Sequence, residues 1–145
     1  MNNKFDFQDG NGPVPAHQHT NGGGWVADTV VIDNTAYVGP NAKVFGNAWV
    51  CGNARVYGNA RVYGYAWVYG KAQVYDNAQV YDNARVYDNA WVYGDAWVSD
   101  NAWVSGNAQV FDNARVCGDA WVYGNAQVSG DNHVYYTPPP KATTL

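Results

Sequence analysis

The chain has 145 residues, and its 47% of apolar residues include one leucine, Leu145, and one isoleucine, Ile32, which points away from helical bundles and doubly wound α/β domains, whose cores lean on those residues. A net charge of -4 and a pI near 5.0 leave no basic footprint for nucleic acid or an anionic lipid surface. No apolar run approaches the roughly 18 residues of a membrane span, and 2 cysteines are too few for a disulfide framework.

Residues 1–25 form an irregular segment, expected to be an N-terminal loop or cap. Its opening, MNNKFDFQDGNG, lacks the apolar core of a secretory signal, so cytoplasmic synthesis is expected, with release or export by another route left open. Gly10, Gly12, Gly22, Gly23 and Gly24 give it a loop-like character. His17-Gln18-His19 is the one cluster with a metal-like look, but two imidazoles do not close a zinc site, and a polar loop or capping contact is the plainer reading. No metal and no cofactor are expected.

Residues 26–136 repeat every six positions. Every sixth residue from Val38 to Val134 is valine, and the residue two before it is alanine at every unit from Ala36 to Ala126. The order alanine, variable, valine, aromatic alternates inward and outward side chains, as a four-residue strand does. The Gly/Asp-Asn pair between strands is turn chemistry, since these residues accept left-handed backbone angles. The chain never reverses, so hairpins are excluded. The expected architecture is all-β: a three-sided parallel solenoid of about six coils, each strand pairing with its equivalent 18 residues on. At ~4.8 Å per coil the stack is roughly 30 Å long. Residues 137–145 are a short Pro-rich tail, in which Pro138, Pro139 and Pro140 cannot donate to a ladder.

An eighteen-residue period sorts the outward residues into three faces. The first stacks Trp49, Trp67, Arg85, Trp103 and Trp121, flanked by Cys51, Tyr69, Tyr87, Ser105 and Tyr123. The second stacks Arg55, Gln73, Trp91, Gln109 and Gln127, flanked by Tyr57, Tyr75, Tyr93, Phe111 and Ser129; the third stacks Lys43, Arg61, Gln79, Trp97, Arg115 and His133, flanked by Phe45, Tyr63, Tyr81, Ser99, Cys117 and Tyr135. Six of the 7 tryptophans are expected to point outward, four of them on the first face, where Arg85 interrupts the row. Such a surface reaches or exceeds the ~300–600 Å² of the largest apolar patch on a typical monomer. Same-face ladders that merely stabilise a narrow solenoid are the bland reading. The functional reading is a contact face made of Trp49, Trp67, Tyr69, Arg85, Tyr87, Trp103, Trp121 and Tyr123.

The run Val-(Tyr/Ser)-(Gly/Asp)-Asn-Ala-X resembles the hexapeptide repeat of bacterial transferases, and is most similar to the short regular hexapeptide proteins of bacterial and prophage genomes, with Gly23-Gly24-Trp25-Val26 resembling their opening motif. The resemblance implies a left-handed parallel β-helix and, commonly, parallel trimers. It also implies acyl transfer with a histidine as general base, which would make His133 or His19 the candidate. An unbroken hexad run, without the inserted loop that builds the acyl-donor pocket, argues against that chemistry here, so no catalytic residue is expected. Ice binding on this scaffold resembles a different repeat with paired threonines, and the hexads carry only Thr29 and Thr35 near their start.

Cys51 and Cys117 lie 66 residues apart on different faces, too far for a disulfide. The corner aspartates Asp76, Asp82, Asp88, Asp100 and Asp112 are expected to be solvated rather than to bind calcium. Tyr65 and Lys71 break the asparagine column in consecutive units, with no reason legible in the sequence. The function expected is a non-enzymatic structural solenoid that self-associates into a trimer or head-to-tail filament, with a polysaccharide-binding module as the alternative.

Overall fold

The computed structural model describes residues 3–136; the Pro-rich tail, and with it the expected stop at Pro138–Pro140, lies outside the described residues. From Trp25 on, the chain winds through three sheets of parallel strands, each taking every third strand. Along the first sheet Val31 pairs with Trp49, Trp49 with Trp67, Trp67 with Arg85, Arg85 with Trp103 and Trp103 with Trp121. The other two run Tyr37, Arg55, Gln73, Trp91, Gln109, Gln127 and Trp25, Lys43, Arg61, Gln79, Trp97, Arg115, His133. All three columns are those of the eighteen-residue period.

The interior follows from side-chain volume. Every repeat alanine from Ala36 to Ala120 and every repeat valine from Val38 to Val116 is at most 1% exposed. A coil with six-residue sides leaves room for little more, and a small side chain facing a branched one fills it. Most of the paired strands are two residues long, as in Trp67–Val68, shorter than the four-residue alternation; Arg115–Asp119 and His133–Tyr136 are longer. The ladder nevertheless extends past them. Within one unit Trp49, Cys51 and Asn53 donate their N–H groups to the carbonyls of Ala66, Val68 and Gly70 at 2.9, 3.0 and 2.9 Å.

The corners turn through a left-handed residue. Glycine supplies it at Gly52 and Gly94, and aspartate at Asp76, Asp82, Asp88, Asp100 and Asp112, with φ of 56–58° at the five aspartates. Four of these carboxylates reach across to the next coil. Asp76, Asp88, Asp100 and Asp112 accept the N–H of Gly94, Gly106, Gly118 and Gly130 at 2.9–3.1 Å. The aspartates are therefore stitches between corners. The asparagine column contributes side-chain bonds in places, Asn59 to Asn77 at 3.4 Å and Asn77 to Asp95 at 3.2 Å. What the column needs is its backbone. Tyr65 and Lys71 each donate their N–H to a carbonyl one coil on, at 2.8 Å, with side chains in solvent, which accounts for the two breaks.

The N-terminal segment is a β-structured cap rather than a plain loop. Strands β1 (Lys4–Asp6) and β2 (Pro13–Gln18) form an antiparallel hairpin, and β2 pairs antiparallel with β3 (Trp25–Ala27), the first strand of the third sheet. Alternation explains it: Phe5 stacks on Trp25 at 4.7 Å, and Phe7, 1% exposed, stacks on Phe45 at 4.8 Å. Arg61 fixes the hairpin by donating to the Phe7 carbonyl at 3.1 Å.

Candidate functional site

The first face is the outer surface of a six-stranded parallel sheet carrying one row of large side chains. Trp49 and Trp67 stack at 4.7 Å with an 8° interplanar angle. Arg85 does not interrupt the row. Its guanidinium lies 4.2 Å from the Trp67 ring centre and 5.3 Å from that of Trp103, so a planar cation takes the place of a ring. Trp121 then turns out of the pattern, meeting Trp103 edge to face at 6.2 Å and 77°. Its indole N–H donates to Ser105 Oγ at 2.9 Å. The same substitution of a guanidinium for a ring recurs elsewhere, with Arg115 3.9 Å from Trp97 and Arg55 4.8 Å from Tyr37.

A second set of contacts runs diagonally, from the aromatic slot of one coil to the variable slot sixteen residues on. Tyr75, Tyr81 and Tyr87 meet Trp91, Trp97 and Trp103 edge to face at 6.1–6.3 Å. Where glutamine takes the tryptophan's place, the tyrosine donates a hydrogen bond instead: Tyr57 to Gln73, Tyr63 to Gln79 and Tyr93 to Gln109, at 2.8–3.0 Å. The tyrosines also stack along the axis, as in Tyr57–Tyr75–Tyr93–Phe111 at 4.8–5.0 Å.

These contacts correct the expected exposure of individual residues. Trp49, Trp91, Trp103 and Trp121 are exposed at 37–43%, but Trp67 and Trp97 are half-buried, each covered by its neighbours and an arginine. Phe45, Ser99 and Ser105, assigned outward, are buried: Phe7 and Tyr63 sandwich Phe45, and Trp121 leans over Ser105. Stacking along the axis also means that Trp49 and Trp67 shield one another's faces and present mostly rims to solvent. A platform for planar ligands needs faces, and the turned pair Trp103–Trp121 departs from that face-to-face arrangement.

Burial sets the acid–base character of the surface. It pushes the Tyr57, Tyr63, Tyr69 and Tyr93 hydroxyls above their usual range. Tyr75 is pushed up to about 12, by burial first and then by Tyr57, Tyr93 and Asp76. Cys51 and Cys117 are free, half-buried thiols, and burial raises both, with Asp33 adding to it at Cys51 and Asp100 at Cys117. A raised thiol is less nucleophilic at neutral pH, because less of it is thiolate.

The histidines lie apart in function. His19, 4% exposed, sets Nε2 2.7 Å from the Ala36 carbonyl and so covers a backbone acceptor of the first coil. His17 is exposed and pairs with Asp28 at 2.7 Å. His133 is exposed, beside the Tyr135 ring at 6.5 Å. Among the described residues no three His, Cys, Asp or Glu side chains come together in a way that could hold a metal ion.

One feature escaped the sequence reading. Between the row and the neighbouring corner runs a groove of about 470 Å³ lined by Asn83, Arg85, Asn101, Trp103, Asp119 and Trp121. The signal was present in the eighteen-residue period, which puts residues 83, 101 and 119 one coil apart beside residues 85, 103 and 121.

Residues 54–70, 78–94 and 108–124 each match a family model described as YdcK Beta solenoid repeat. No curated protein matches the chain. The geometry and the repeat match agree on a β-solenoid repeat protein with aromatic clusters on its surface.

Proposed function

We propose that this chain is a non-enzymatic structural module that self-associates through its first face, Trp49, Trp67, Tyr69, Arg85, Tyr87, Trp103, Trp121 and Tyr123. The observation that carries the reading is that Trp49, Trp103 and Trp121 keep 37–43% of their surface in solvent while packed against their neighbours along the row. Rims of indole on a hydrogen-bonded sheet are apolar surface that a second copy can cover, and burial contributes about 25 cal/mol per Å². A shallow hollow of about 300 Å³ lined by Trp49, Cys51, Trp67 and Tyr69 offers a seat for a partner's side chain. The six-residue period also supports kinship with hexapeptide-repeat β-helices, among which parallel trimers are common. The non-enzymatic part rests on the groups a transferase would use: His19 is committed to the cap, His133 stands on an open surface, and both thiols are raised.

Sedimentation velocity over a concentration series tests the proposal. The chain should show reversible oligomers, and Trp49→Gln combined with Trp103→Gln should weaken them at least tenfold while Trp91→Gln, on the second face, leaves them intact. A chain that stays monomeric throughout, or an oligomer that ignores the double substitution, rejects it.

A further inference from the structure

We infer that the groove beside the first face is a binding site for a neutral linear oligosaccharide. Its construction is that of two parallel rows. One row is Arg85, Trp103 and Trp121; the other is Asn83, Asn101 and Asp119, at the corner that precedes it. Members of each row are one coil apart, so both repeat at ~4.8 Å along the solenoid axis. A ligand with rings and hydroxyls in regular succession can meet one aromatic or guanidinium plane and one amide or carboxylate at each step.

The chemistry selects the class. The turned indoles, at 77° to one another, break the face-to-face stacking that closes the upper part of the row. Aromatic planes take the apolar C–H side of a sugar ring, and amide and carboxylate oxygens take its hydroxyls. Asn83 and Asn101 are exposed amides, each with donors and an acceptor, and Asn101 is held toward Asp119 by a bond of 3.5 Å that leaves the second carboxylate oxygen to accept. Arg85 and Asp119 are the charged members, one of each sign, so the groove favours an uncharged glycan over a uronate or sulfated one. It is open and shallow, which suits a chain lying along the axis rather than a small molecule enclosed on all sides.

The site goes beyond the assembly reading and shares only Arg85, Trp103 and Trp121 with it, so the corner side chains separate the two. Isothermal titration of the full chain, at concentrations where it is monomeric, should be run against cellohexaose, maltohexaose, chitohexaose, laminarihexaose and hexagalacturonate. At least one neutral hexasaccharide should bind. Asn101→Ala and Asp119→Ala should each weaken that binding about tenfold with unchanged circular dichroism and unchanged self-association, and Trp91→Ala should leave it as it was. The proposal is overturned by silence across the four neutral sugars, by preference for hexagalacturonate, or by binding that survives both corner substitutions. Failure of self-association alone leaves this site standing, and loss of sugar binding alone leaves the assembly face standing.

Discussion

Replacing Asp88 tests the corner stitch. Asp88 holds a left-handed φ of 58°, and its carboxylate accepts the Gly106 N–H at 3.0 Å. In alanine the bond is lost, which costs about 1 kcal/mol at an exposed site. Alanine also takes left-handed angles less readily than aspartate, for about 1 kcal/mol more. Asp88→Ala should therefore destabilise by about 2 kcal/mol. Glycine loses the same bond but has no Cβ to strain, and its extra freedom in the unfolded chain offsets part of that relief, so Asp88→Gly should cost about 1 kcal/mol. Asp88→Asn keeps both an oxygen for the bond and a tolerance of the turn, and should stay near the parent. Guanidinium unfolding followed by circular dichroism measures the series, and 2 kcal/mol corresponds to roughly 4–8 °C in Tm. In a regular strand alanine would outperform glycine. If it does so here, the left-handed stitch is not what holds the corner.

Three more predictions follow from single contacts. Arg85→Ala should cost about 1–2 kcal/mol, since two cation–π contacts at 4.2 and 5.3 Å are lost, and Arg85→Lys should recover less than half of it; equal stabilities in thermal unfolding would show that the sandwich adds nothing. Tyr75 ionises near 12 when folded but near ~10 when unfolded, so the unfolded chain gives up its proton first; stability is level below about pH 10 and declines toward pH 12. Absorbance at 295 nm against pH, compared between the parent and Tyr75→Phe, should show that the step missing from the variant is late and steep with unfolding, whereas an ordinary step for Tyr75 in the folded chain would contradict the shielded ladder. His19→Ala should cost about 1–2 kcal/mol and speed amide exchange across residues 16–27, because a buried carbonyl at Ala36 loses its donor, while His17→Ala at an exposed pair should change little.

The unbroken hexads made the register legible. With valine at every sixth position, residues 49, 67, 85, 103 and 121 had to share a column, and they do. Face membership, however, does not say how a ring lies on its face. That Trp67 is covered while Trp49 is not depends on Arg85 stacking below it, and the sequence records only that a cation stands where tryptophans flank it. The orientation of the rings was equally hidden, because stacking at the coil spacing turns indoles rim-outward. A cap was expected, but its strands were hidden for another reason. Phe5-Asp6-Phe7 carries a strand's alternation, but its partners Trp25 and Phe45 lie 20 and 38 residues on, separations that are no multiple of the six-residue repeat. The corner groove needed both columns to be read together, one from each side of a turn.

The most direct test of the assembly face is hydroxyl-radical footprinting of the tryptophans as a function of concentration. Trp91 is 38% exposed on the second face and serves as the internal standard for Trp49, Trp103 and Trp121. As oligomers form, oxidation of those three should fall several-fold while Trp91 keeps its rate. If Trp49, Trp103 and Trp121 continue to oxidise in step with Trp91 while the mass increases, the copies meet elsewhere and the face is not the contact surface.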